Sequence, residues 1–132
     1  MKSYKIIVID DDPDILEVLE FNLTIRGYNV LSYISGKEAL EKVFDEKPDL
    51  IILDVIMPDL DGWEMLKIIK DHPAGNAFKI LMLTAKSTER DKLIGKSILK
   101  ADDYVTKPFD LNELLHIIRK LLEDADDEIE KS

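Results

Sequence analysis

Apolar residues are arranged along this chain in two alternating patterns. Short continuous runs, Lys5-Ile6-Ile7-Val8-Ile9, Leu50-Ile51-Ile52-Leu53 and Lys79-Ile80-Leu81-Met82-Leu83-Thr84, are bounded by turn residues. Runs of this length read as strands buried on both faces. Tyr28-Asn29-Val30-Leu31-Ser32-Tyr33 mixes polar and apolar positions, which suits an edge strand. Asp103-Tyr104-Val105 predicts a short fifth strand.

Between these runs the apolar period lengthens to that of a helix. Ile15, Leu16, Leu19 and Leu23 form one stripe, opened by Asp12 as N-cap with Pro13 at the first turn and stopped at Gly27. Ser35-Gly36-Lys37-Glu38 is a capping box for a second helix with Ala39, Leu40, Val43 and Phe44 inward. Asp61 caps a third, which carries Met65, Leu66 and Ile69 inward, with Trp63 packed near its start. Residues 87–99 predict a weaker, more polar helix. Asp110 caps the last one, whose stripe is Leu111, Leu114, Leu115, Ile118, Leu121 and Leu122. Five buried strands alternating with five helices predict an α/β, doubly wound parallel sheet covered on both faces.

The length fits one domain over residues 4–122, followed by an acidic tail at 123–132 that forms a frayed helix end or is disordered. There are no cysteines, so disulfides, thiolate metal sites and cysteine nucleophiles are excluded. The formal net charge is −10, which argues against direct nucleic acid binding. The apolar stretch after Lys5 is too short for a signal peptide or a membrane span, so the expectation is a soluble, cytoplasmic protein without membrane attachment.

The strands end in distinctive residues. Asp10 and Asp11 end the first, Asp54 the third and Thr84 the fourth, and Lys107 follows the fifth. In a doubly wound sheet these ends share one rim. Clustered carboxylates repel unless a cation intervenes, and an all-oxygen donor set favours Mg²⁺ over zinc. A carboxylate can also act as a nucleophile toward phosphorus. Thr84 offers a hydroxyl and Lys107 a fixed charge to a phosphoryl group. No Gly-rich phosphate loop follows the first strand. Asp59, Asp61, Asp102 and Asp103 read as turn or capping acids, and His72, in a loop, and His116, on the outward side of the last helix, as surface residues.

Four segments together resemble the receiver domain of two-component response regulators. They are Val8-Ile9-Asp10-Asp11-Asp12-Pro13, Leu53-Asp54-Val55-Ile56-Met57-Pro58-Asp59-Leu60-Asp61-Gly62, Leu83-Thr84-Ala85 and Ala101-Asp102-Asp103-Tyr104-Val105-Thr106-Lys107-Pro108-Phe109. The resemblance, to a stand-alone CheY-like receiver, implies a flavodoxin-like sheet of order 2-1-3-4-5. It implies that Asp54 accepts a phosphoryl group from a phosphohistidine on a sensor histidine kinase or phosphotransfer protein. Asp11 would bind Mg²⁺ directly, Asp10 largely through water, and the backbone carbonyl of Ile56 would add a ligand alongside Asp54. Thr84 and Lys107 would contact the phosphoryl group, and Tyr104 would move with Thr84. The Lys107–Pro108 bond would be cis. Such a protein is a switch that promotes its own phosphorylation and dephosphorylation, not a metabolic enzyme.

Partner binding would change on the face made by the fourth helix, fifth strand and fifth helix, with a separate downstream protein or a homodimer as the outcome. Lys100 stands where the family carries Gly, and the segment from Gly95 to Tyr104 is about one residue longer than usual. Lys86, Arg90, Lys92, Lys96 and Lys100 make that region basic, suited to an acidic partner. Two alternatives remain at this level: an aspartyl-nucleophile phosphohydrolase and a pseudo-receiver that only binds. The first would want an acid two residues after the nucleophile, where this chain has Ile56.

Overall fold

A computed structural model describes residues 3–75, 77–84 and 101–131, with side chains through Asp124. The predicted helix over 87–99, Lys86, the basic run and Lys100 lie outside the described residues. The strands are β1 (Lys5–Ile9), β2 (Asn29–Tyr33), β3 (Leu50–Asp54), β4 (Lys79–Thr84) and β5 (Asp103–Thr106). They form one parallel sheet in the order β2-β1-β3-β4-β5. The described helices are α1 (Pro13–Thr24), α2 (Gly36–Glu46), α3 (Gly62–Asp71) and α4 (Leu111–Lys131). This is the α/β order expected from the sequence, with four helices among the described residues.

Period-2 alternation sorts the buried strands onto two cores. Ile7, Ile9, Ile51, Leu53, Ile80 and Met82 face α2 and α3. Ile6, Val8, Leu50, Ile52, Leu81 and Leu83 face α1 and α4. The continuous apolar runs follow from this: each side chain has a helix above it or below it. β2 lies at the edge and none of its residues is fully buried, in keeping with its mixed composition. α4 continues to Lys131, so the acidic residues from Glu123 onward lie in helical backbone. Among the described residues, no helix is long and apolar enough to cross a membrane.

The caps read from the sequence hold the helices where expected. Asp12 accepts from Asp14 N at 2.9 Å, and Ser35 from Glu38 N at 3.2 Å. Asp61 accepts from Trp63 N at 2.7 Å, and Asp110 from Glu113 N at 3.0 Å. Gly27, with φ +91°, turns the chain from α1 toward β2 in a conformation costly for other residues.

Gly62 matters for a different reason. It begins α3 against the end of β3, and its N–H donates to Val55 O at 2.8 Å. A Cβ there would lie 2.3 Å from Asp54 O and 2.6 Å from Val55 Cα. Backbone cannot yield as a flexible side chain can, so α3 would be pushed off the strand that carries Asp54. Gly62→Ala is expected to destabilise the fold by about 2–3 kcal/mol. Chemical denaturation measures this, and a midpoint equal to that of the wild type would refute the close-approach argument.

Candidate functional site

The ladders of the sheet continue one step past the strands and bring their ends to one rim. Asp10 N donates to Tyr33 O at 3.1 Å, Val55 N to Leu83 O at 2.9 Å and Lys107 N to Thr84 O at 2.7 Å. Those bonds fix Asp10, Asp54, Thr84 and Lys107 at the carboxyl ends of neighbouring strands. Such a rim is where open α/β sheets gather chemistry.

Carboxylate oxygens of Asp10, Asp11 and Asp54 all lie within 4.8 Å of one another. Asp10 is fully buried, Asp54 is buried and Asp11 is exposed. Lys107 Nζ donates to Asp10 Oδ2 at 2.6 Å and lies 3.4 Å from Asp54 Oδ2. The other Asp10 oxygen accepts from Asp12 N at 2.9 Å. Asp54 Oδ1 accepts from Ile56 N at 3.2 Å. The Lys107–Pro108 peptide bond is cis.

The electrostatics follow from this crowding. Burial, followed by the negative charge of Asp10, pushes the Asp54 carboxyl up to about 6. Lys107 and the Ile56 N–H act against that rise without cancelling it. Burial alone would lower the Lys107 ammonium. Its hydrogen bond to Asp10 and the charges of Asp10 and Asp54 outweigh that effect and hold it above the ordinary lysine value. One lysine therefore faces more negative charge than it can neutralise. The donor set is all oxygen and partly open through Asp11, which fits a hard divalent cation such as Mg²⁺.

The remaining predicted residues occupy distinct places. Thr84 is fully buried at the end of β4, one residue beyond Leu83, the partner of Asp54 in the sheet. Tyr104 pairs with Met82, two rungs from the Thr84–Thr106 pair, and is about nine-tenths buried. Its ring packs on Trp63 with centroids 5.8 Å apart, tilted by 54°. The Ile56 side chain is 59% exposed beside the site. The carboxylates and Lys107 are thus in direct contact range, while Tyr104 lies against the third helix.

Several contacts were not legible as such, the first of them beside the rim and the other two toward the opposite edge of the sheet. Asp59, read as a turn or capping acid, caps a helix other than its own: it receives Ser35 Oγ at 2.6 Å and the N–H groups of Gly36 and Lys37 at 3.3 and 3.1 Å. Asp102, also read as a turn acid, accepts from Ile80 N at 2.7 Å and lies 3.7 and 3.8 Å from Lys70 and Lys79. His72, read as a surface loop residue, stacks on Phe44 with centroids 3.7 Å apart. A Ser-Gly pair opening α2 is the one local hint that an acid could be received there.

Comparison with known proteins agrees with this arrangement. The family model described as the response regulator receiver domain matches residues 6–119. The alkaline phosphatase synthesis transcriptional regulatory protein PhoP of Bacillus subtilis is 47% identical over 118 residues. That match covers 89% of this chain and 48% of the relative, so the chain spans about half the length of PhoP. A CheY-like response regulator receiver domain protein from Methanospirillum hungatei superposes with a TM-score of 0.88 at 28% identity, covering 96% of this chain and 99% of that one. The chemotaxis protein CheY4 of Vibrio cholerae gives 0.84 at 31% identity, covering 91% and 99%. With the sheet order, the acidic rim and the family match in agreement, this chain belongs to the response regulator receiver domain family of two-component systems.

Proposed function

We propose that this chain is a phosphorylation-driven switch in which Asp54 is the acceptor. The observation that carries the reading is the meeting of Asp10, Asp11 and Asp54 within 4.8 Å, with Lys107 against two of them. An Asp54 oxygen attacks the phosphorus of a phosphohistidine on a sensor kinase or phosphotransfer protein. The new O–P bond makes an acyl phosphate, and the electrons of the P–N bond leave with the imidazole. Lys107 lies close enough to place positive charge beside the transferred group, and Thr84 supplies a hydroxyl from the neighbouring strand.

The residues that would hold Mg²⁺ are Asp11, Asp54 and the Ile56 carbonyl, with Asp10 further out; bound there, it would offset charge on the phosphoryl oxygens. Both Asp10 oxygens already accept hydrogen bonds, from Lys107 and Asp12, which supports the indirect role. Tyr104, on the strand paired with that of Thr84 and with its ring on Trp63, is the residue suited to report the modified state. The receiver unit is residues 4–122, and the output face would include β5 and α4.

Two readings of the output differ in what lies downstream. In the first, a separate partner protein receives the signal. In the second, favoured by the 47% identity to PhoP, a transcriptional regulatory protein by name, the receiver serves transcription. The phosphohydrolase alternative is disfavoured by Ile56, which cannot act as an acid.

The acceptor assignment has a direct test. Incubation with acetyl phosphate and Mg²⁺ is expected to add about 80 Da, one phosphoryl group, to the wild type and nothing to Asp54→Asn. Intact-mass measurement reads this, and a wild type that stays unmodified would sink the assignment. The exposed Ile56 predicts a second result. An apolar side chain cannot orient an attacking water, so Ile56→Asn should speed loss of the phosphoryl group by roughly ten-fold. An unchanged or slower decay of the adduct would count against it.

The raised Asp54 pKa has a sign that can be checked without phosphate. Its folded value of about 6 lies above the ordinary carboxylate value of 3.8. Its contribution to stability is therefore complete below about pH 4 and is lost as pH rises through 6. In metal-free protein, Asp54→Asn should stabilise the fold at about pH 7.5, by about 1–3 kcal/mol, and much less at about pH 4.5. Thermal melts at the two pH values decide it; equal effects at both would contradict the charge argument.

A further inference from the structure

The loop between β3 and α3 contains Ile56, whose carbonyl is a ligand on the proposed reading, and the loop's two ends are held locally. Near its start, Ile56 N donates to Asp54 Oδ1 at 3.2 Å. At its end, Gly62 N donates to Val55 O at 2.8 Å and Asp61 caps α3. Its middle is held by a different element. Asp59 reaches across to the first turn of α2, where Ser35 Oγ and Lys37 N donate to Oδ2 at 2.6 and 3.1 Å. Gly36 N donates to Oδ1 at 3.3 Å.

Packing supports the same attachment. Gly36 is buried under the loop: a Cβ there would come within 3.0 Å of Met57 Cε and 3.2 Å of Leu60 Cβ. Met57, next to Ile56, is itself 7% exposed. The donors around Asp59, with Ser35 first and the Lys37 N–H next, hold its carboxyl down to about 2, so it stays ionised on the helix N-terminus at any working pH. The loop is thus clamped from below by Met57 and from the side by Asp59.

We propose that Asp59 is a positioning residue for the Mg²⁺ site, acting through its seat on Ser35, Gly36 and Lys37 to hold the loop that presents the Ile56 carbonyl. Asp59 touches neither metal nor phosphoryl group. It acts at one remove from the ligand it positions, and loss of such outer partners lowers metal affinity. The proposal rests on the reading of Asp10, Asp11, Asp54 and Ile56 as the metal site. It makes the start of α2 part of the apparatus that sets metal affinity, although that helix contributes no ligand.

The test is a Mg²⁺ titration of the unphosphorylated chain followed by fluorescence of Trp63, the single tryptophan, which lies just past the loop. Thermal melts confirm that each variant is folded at the titration temperature. Asp59→Ala should weaken Mg²⁺ binding by about ten-fold. Asp59→Asn keeps one oxygen for the Ser35 hydroxyl and the Lys37 N–H, giving up the longer Gly36 bond, and should bind within about two-fold of the wild type. Ser35→Ala changes no charge and should fall between them. Should Asp59→Ala fail to fold, Ser35→Ala decides the question on the same readout.

A folded Asp59→Ala with wild-type Mg²⁺ affinity overturns the proposal. So does an Asp59→Asn as weak as Asp59→Ala, because the effect would then be loss of charge and not of position. A wild type with no saturable response to Mg²⁺ removes the metal reading itself, a different failure from the other two.

Discussion

Two buried carboxylates sharing one lysine is the constraint on which this structure depends. Asp10 and Asp54 end adjacent strands with almost no exposure, and Lys107 sits 2.6 and 3.4 Å from them. Burying one unpaired carboxylate is costly, and burying two together is more so. The rest of the rim answers that cost. The Lys107 N–H bond to Thr84 O seats Lys107 beside β4, the Asp12 N–H serves Asp10, and the Ile56 N–H serves Asp54. The residual imbalance remains on Asp54, whose carboxyl is raised to about 6. On the proposed reading, this shortfall of positive charge is what a cation and an incoming phosphoryl group would meet.

Much of this was legible because parallel strands write themselves plainly. Ile6 to Ile9, Leu50 to Leu53 and Ile80 to Leu83 are apolar without interruption, since both faces of each strand are covered. An acid or hydroxyl ending such a run stands out, which is how Asp10, Asp54 and Thr84 could be named. The caps Asp12, Ser35, Asp61 and Asp110 were legible for the same reason: their partners lie two or three residues away.

What the sequence concealed is contact between distant loops. Asp59 and Ser35 are 24 residues apart, and no local period records that the carboxylate of one meets the hydroxyl of the other. Asp102 and Ile80 are 22 apart, and their bond joins β4 to the start of β5. His72 on Phe44 likewise needs α2 and α3 already packed side by side. Each contact depends on the assembled fold, so the residue type alone left them as ordinary turn residues.

Asp54 and Asp59 show how far assembly outweighs residue type. They are the same amino acid on one short segment, yet one carboxyl is raised to about 6 and the other lowered to about 2. Asp54 is buried beside another acid and accepts one backbone N–H from its own loop. Asp59 is placed where a hydroxyl and two helix N–H groups converge, so its charge is welcomed. On the proposed reading, the raised acid is the phosphoryl acceptor and the lowered one holds the loop that follows it. Both follow from where α2 begins and β3 ends, so a change in that packing would alter the environments of both carboxylates together.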